Sequence, residues 1–219
     1  MNRPSNPRIA GQDTVLETLT FDGIELDVYR VVDADRILDN IDLEAWKKDE
    51  RMPYWAEPWP SGTWLARHLA GEGSLDGVRV LELGCGLGLP SLVAARLGAD
   101  VTTTDYTHVA LDLFRVNATM NDVTVNAEYV DWREPHDLDS YDLVLAADVM
   151  YERWQSGVVL NLLGTTVAPD GRALIADPDR VTATEFAGAA EYHGFRVKKH
   201  SGTVEGFGGK ITLYDLEWR

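Results

Sequence analysis

The spacing of apolar residues along this chain changes repeatedly, and each change predicts an element. From Thr14 to Val32 (TVLETLTFDGIELDVYRVV) apolar and polar residues alternate around Asp22-Gly23, a pair suited to a tight turn, so the segment reads as a β-hairpin. Residues 34–48 follow with a weaker helical pattern. Trp64, Leu65, His68 and Leu69 then mark one face of a helix, and Val78 to Leu83 is an apolar run of strand length. Pro90 falls where a first helical turn tolerates a missing N–H, and Gly98 stops the helix SLVAARLG. A strand over 101–105, a helix over about 108–121, a strand over 126–131 and a strand over 141–148 come next. A helix over roughly 153–166, a strand over 172–177, a helix ending at Gly194, and strands over 195–200 and 210–218 complete the pattern.

Regular alternation of strand and helix predicts right-handed crossovers. The fold class is therefore α/β, a doubly wound, mostly parallel seven-stranded sheet with helices on both faces. The connection SGTVEGFGG at 201–209 is too short for a crossover helix, which makes the last strand antiparallel. The aromatic and proline cluster PYWAEPWPSGTW at 53–64 divides a 1–52 extension, holding the hairpin and a helix, from a 53–219 core within one compact domain.

Composition narrows the function classes. The 219 residues are 45% hydrophobic, enough for one substantial core. A net charge of −16, from 36 acidic against 20 basic residues, disfavours a nucleic-acid partner and favours a basic protein or a small molecule. A single cysteine, Cys85, excludes a disulfide framework, and the first eleven residues lack the features of a secretory signal. No apolar run approaches the roughly 20 residues of a membrane span, so the expectation is a soluble, cytoplasmic protein with no membrane partner. Five histidines without ligand spacing predict no metal site. Lys198, Lys199 and His200 read as protection of a sheet edge.

The chemistry concentrates in VLELGCGLGLP, residues 80–90. A phosphate-binding loop for nucleoside triphosphates needs a lysine that this stretch lacks, and a dinucleotide fingerprint needs a third glycine where Leu89 stands. The glycines instead fall at every second position, Gly84, Gly86 and Gly88, and Asp105 lies 21 residues after the first of them. ELGCGLG with Asp105 resembles the first motif of the class I methyltransferases, which use S-adenosylmethionine and release S-adenosylhomocysteine. The resemblance implies that Glu82, Gly84, Cys85, Gly86 and Gly88 form the cofactor loop and that Asp105, followed by Tyr106, receives both ribose hydroxyls. A carboxylate suits a vicinal diol because it accepts two hydrogen bonds. Asp131-Trp132 resembles the acid and aromatic plane at the adenine.

Asp148-Val149-Met150-Tyr151, preceded by Ala147, matches the Asp-x-x-Tyr motif of the family 16 methyltransferases, most of which methylate protein lysines. WAEPWPSG at 55–62 resembles the segment in which a Trp, here Trp59, reaches over the cofactor. ADPDR at 176–180 resembles the Asp-Pro-x-Arg element of the lysine methyltransferases acting on the electron-transfer flavoprotein β subunit, with Asp179 where glycine is expected. The implied activity is methyl transfer to the side-chain amine of a protein lysine, with a small-molecule amine or a non-catalytic cofactor-binding role as alternatives. Asp148 and Tyr151 are the candidate catalytic residues, Asp148 orienting substrate or cofactor and not acting as a strong base. As a purely structural alternative, Asp148 caps the following helix with Tyr151 in its first turn. Cys85 reads as a small filler residue, not a nucleophile.

Overall fold

Strand periodicity of two puts one face of each N-terminal strand into the core. In a computed structural model that describes residues 6–34, 37, 54–134 and 136–219, β2 (Gln12–Phe21) and β3 (Ile24–Val31) pair antiparallel with Leu19 opposite Leu26. Asp22 and Gly23 at the turn both have positive φ, 43° and 89°, as a type I′ hairpin requires. A two-residue strand β1 (Arg8–Ile9), missed by the pattern because it is so short, joins β2 to make a three-stranded sheet. The helix expected over 34–48 lies mostly outside the described residues.

The main sheet contains β4 (Arg79–Leu83), β5 (Asp100–Asp105), β6 (Asn126–Tyr129), β7 (Tyr141–Ala147), β8 (Val167–Asp177), β9 (Phe195–Gly202) and β10 (Ile211–Trp218). Their order is β6-β5-β4-β7-β8-β10-β9, all parallel except β10, which runs antiparallel to both neighbours. Several boundaries differ from the sequence pattern, among them β6, which ends at Tyr129 and leaves Asp131 in the loop beyond it, and two have an identifiable cause. β8 starts five residues earlier than expected, the surplus being taken up by a register shift against Tyr141 and Leu143. β7 stops at Ala147 because Asp148 has φ 59°, a left-handed backbone that no strand accommodates.

Helices α1 (Pro60–Ala70), α2 (Leu89–Arg96), α3 (His108–Met120), α4 (Arg153–Thr166) and α5 (Val181–Tyr192) cover the sheet. Two apolar clusters result, one built around Leu65, Leu92 and Phe114 and the other around Leu163, Ile175 and Phe186. Phe21, Leu26 and Val28 of the hairpin belong to the first cluster. Asn117 on α3 and Asn121, the C-cap of that helix one turn later, fix the hairpin by acting as a substitute strand. Asn117 accepts from Tyr29 N at 2.8 Å and donates to Tyr29 O at 3.1 Å, and Asn121 does the same for Asp27 at 2.9 and 2.8 Å. At the far edge, Lys198 of β9 pairs with Glu217 of β10 at 3.2 Å, and Lys199 lies 5.3 Å from the Tyr214 ring centre.

Candidate active site

Strand order reverses between β4 and β7, and a cavity of about 760 Å³ opens at the carboxyl ends of the strands there. All thirteen residues expected at the site line it: Trp59, Glu82, Gly84, Cys85, Gly86, Gly88, Asp105, Tyr106, Asp131, Trp132, Ala147, Asp148 and Tyr151.

The loop after β4 turns tightly because Gly84, Gly86 and Gly88 all have positive φ, 67°, 52° and 70°. A side chain at Gly88 would also run into the ring of Phe114. The backbone is therefore bare where it faces the cavity. Cys85 N donates to Thr104 O at 2.9 Å and Gly88 N to Cys85 O at 2.7 Å, which pins the loop to β5. Burial pushes the Cys85 thiol well up, so it stays protonated and serves as packing. Glu82 lies beneath the loop, accepting from Ser91 N at 3.1 Å in the first turn of α2. Desolvation outweighs that bond and raises its carboxyl to about 7.

Asp105, the last residue of β5, is buried, and each of its oxygens holds one backbone amide, Gly86 N at 3.1 Å and Thr107 N at 2.8 Å. Desolvation raises its carboxyl to about 6 against hydrogen bonds from Gly86, Thr107 and Tyr106. Asp131 is held in a two-nitrogen grip by Arg133, at 3.0 Å from Nε and 2.8 Å from Nη2, a partner the sequence pattern did not indicate. The Trp132 ring stands close enough to Gly84 that a Cβ there would meet it at 3.5 Å.

Asp148 does not cap the helix that follows it. The N-cap of α4 is Glu152, in a reciprocal box with Gln155. Asp148 instead reaches α1, whose own N-cap, Trp59, offers no side-chain acceptor: Oδ2 accepts from Ser61 N at 3.2 Å. Its other oxygen accepts from Arg180 Nη1 at 2.9 Å, and Asp148 N donates to Ala176 O at 3.0 Å. Tyr151 packs edge-on against Tyr54, with centroids 5.3 Å apart, and Tyr54 packs edge-on against Trp59 at 5.7 Å. Trp59 Nε1 donates to Tyr54 O at 2.6 Å. Burial raises the Tyr151 hydroxyl, opposed by hydrogen bonds with Gln155 and Tyr106. Tyr54, Arg180 and Arg133 thus join the site although spacing did not select them; Arg180 carried a signal, as the basic residue of ADPDR. Asp179 in that segment has φ 60°, the conformation for which glycine is the usual choice, and it is held by Thr212 Oγ1 at 2.5 Å and Lys210 Nζ at 2.9 Å. Among the described residues no three His, Cys, Asp or Glu side chains gather to hold a metal ion, and no helix is long and apolar enough to cross a membrane.

Comparison with known proteins agrees with this geometry. The model of a family described as lysine methyltransferase matches residues 38–187. The electron transfer flavoprotein beta subunit lysine methyltransferase of Danio rerio is 32% identical over 131 residues, 58% of this chain and 51% of that one. The protein N-lysine methyltransferase METTL21A of the same species is 38% identical over 115 residues, 48% of this chain and 51% of that one. The chain spans about half the length of these curated relatives. Among solved structures, the 16S rRNA N2 G1207 methyltransferase RsmC of T. thermophilus superposes with a TM-score of 0.67 at 15% identity, over 97% of this chain and 52% of that one, and shares the fold.

Proposed function

The chain belongs to the lysine methyltransferase family, and from that premise we propose that it transfers a methyl group from S-adenosylmethionine to the side-chain amine of a lysine in a protein acceptor. One observation carries the reading: a single cavity joins the bare glycine loop and Asp105 at one end to Asp148 and the aromatic wall of Tyr54, Trp59 and Tyr151 at the other. The residues fit the cofactor. Gly84, Cys85, Gly86 and Gly88 would offer backbone to its amino-acid part, and Asp105 its carboxylate to the ribose diol. Asp131 and Trp132 would meet the adenine, and Glu82, Tyr106, Ala147 and Trp59 would close the wall around it. When bound, the cofactor supplies an electrophilic methyl on a cationic sulfur.

The protein's own task is alignment and provision of a neutral amine, whose free pKa is about 10.4. The aromatic wall disfavours the ammonium form by desolvating it. An ionised carboxylate beside the amine does the opposite, so Asp148 serves by position: both of its oxygens are already held, by Ser61 and Arg180. The Tyr151 hydroxyl, kept protonated by burial, can accept from an amine N–H and leave the nitrogen lone pair free for the methyl. The net charge of −16 supports a basic acceptor protein over a nucleic acid. The free, buried Cys85 thiol suits the cytoplasm, where we place the protein.

Incubation with radiolabelled S-adenosylmethionine and a cell lysate, separated into protein and low-mass fractions, tests the reading. We expect label in a discrete protein band that disappears with Asp148→Ala. Label confined to the low-mass fraction would point to a small-molecule amine instead, and no label in either fraction would leave only cofactor binding.

A further inference from the structure

A single nitrogen ties together two acids at the ends of neighbouring strands. Arg180 Nη1 stands 2.9 Å from Asp148 Oδ1, beyond β7, and 2.9 Å from Asp177 Oδ2, at the end of β8. The side chains of Asp177 and Asp148 are 0% and 8% exposed, whereas that of Arg180 is 30% exposed. The turn that carries Arg180 is fixed independently of the cavity. Arg180 N donates to Asp177 Oδ1 at 2.7 Å, and Asp179 is fastened by Thr212 of β10 and by Lys210 just before that strand. The guanidinium is thus anchored at its own backbone and reaches back to Asp148.

Other ionisable groups around Asp148 are mostly acids. Glu152 lies on the turn after it, Glu57 ahead of α1, Glu82 on β4 and Asp105 at the end of β5, and Tyr106 and Tyr151 line the same cavity. Arg133 lines the same cavity but grips Asp131. Without a cation between them, Asp148 and Asp177 would be like charges on two buried side chains, and such pairs hold one proton between them. A protonated Asp148 loses the charge-assisted bond to Ser61 that closes the first turn of α1.

We propose that Arg180 is a positioning residue for the transfer step: by bridging Asp148 and Asp177 it holds the Asp148 carboxylate on the first turn of α1 and so keeps Trp59 and Tyr54 opposite Tyr151. Its consequence for turnover rests on the methyl-transfer reading; the ion pair itself does not. Arg180 acts through Asp148, and its own charge, shared by two acids, is largely screened from a cationic ligand.

Arg180→Gln, Arg180→Lys and the double variant Asp177→Asn/Arg180→Gln test this in the full chain. Carboxyl-labelled aspartates followed by NMR between pH 4.5 and 9 should show in Arg180→Gln a titration at higher pH than any that Asp148 or Asp177 shows in the parent. The double variant should lose it. At pH 7, kcat of Arg180→Gln should fall about 100-fold, the scale of a small misplacement in the site. Its calorimetric affinity for S-adenosylmethionine, to which Trp59 contributes, should fall by much less than the rate, and part of the lost rate should return as pH rises. Arg180→Lys, which keeps the charge, should lose less. Carboxyl titrations identical to the parent's, or a rate loss equal at every pH and matched by a loss of cofactor affinity, would overturn the assignment. A parent protein that binds S-adenosylmethionine but methylates no acceptor would sink the methyl-transfer reading alone, because the NMR titration still decides the role of Arg180 at Asp148.

Discussion

The Asp148 carboxylate caps a helix 87 positions earlier in the chain, accepting the Ser61 amide at 3.2 Å in the first turn of α1. Trp59 and Pro60 begin that helix without a side-chain cap of their own, so its exposed amide dipoles find their acid on the tip of β7. The same contact sets the aromatic wall over the strand ends. Fold and site share this one bond, and the left-handed backbone of Asp148, φ 59°, aims the carboxylate there.

Cofactor affinity should depend on the charge of Asp105. Burial raises its carboxyl to about 6, and the protonated form loses an acceptor position for the ribose diol. Titration calorimetry should therefore show S-adenosylmethionine binding weakening as pH falls below about 6, by up to about tenfold per pH unit. Asp105→Asn should bind more weakly and without that dependence. Affinity in the parent that stays level from pH 5 to 8 would contradict the role.

Glu82 should make the protein less stable as pH rises. Its folded carboxyl sits at about 7 against an ordinary 4.5, so the folded state retains a proton that the unfolded chain has released. This contribution is full below about 4.5 and is lost as pH climbs to about 7. One oxygen, Oε2, accepts both from Ser91 N and from Thr103 Oγ1, and glutamine can keep both bonds. Denaturant unfolding of Glu82→Gln should show a gain over the parent that grows from pH 5 to 7 and then levels off.

Much of this arrangement was legible in the sequence, for identifiable reasons. The alternation of TVLETLTFDGIELDVYRVV located the hairpin, and glycines at every second position located the loop, because both are local patterns. The bonds of Asp148 to Ser61 and Arg180 were not legible, since they join residues brought together only by the crossovers of the sheet. Chain proximity favours an acid capping the next helix, and Glu152 had already taken that position. The grip of Arg133 on Asp131, two residues away, was missed because a single basic residue after a strand has no distinctive pattern. Asn117 on α3 and Asn121 at its C-cap likewise give no sign in sequence that they pair with strand β3.

Those asparagines supply a stability test. Asn117 is fully buried and satisfies both backbone groups of Tyr29. Asn117→Ala should cost about 2–4 kcal/mol, because two buried polar groups lose their partner. Hydrogen exchange at the Tyr29 amide should accelerate well beyond that of amides in β4.

Asp179 occupies a glycine-like conformation at φ 60°. Both Asp179→Gly and Asp179→Ala lose the bonds to Thr212 and Lys210, but alanine also carries the strain of the left-handed region. The glycine variant should therefore be more stable than the alanine variant by about 1–2 kcal/mol in denaturant unfolding. Equal stability would show that the turn relaxes without strain.

The chemical identity of the methylated product tests the central claim most directly. Protein labelled from S-adenosylmethionine in a lysate should be hydrolysed completely to amino acids and the radioactive product separated by chromatography. The account predicts label in N-methylated lysine, absent when Asp148→Asn replaces the parent enzyme although that variant keeps its cofactor affinity. Label in methylarginine, methylhistidine or a methyl ester, or undiminished methyl-lysine from Asp148→Asn, would contradict it.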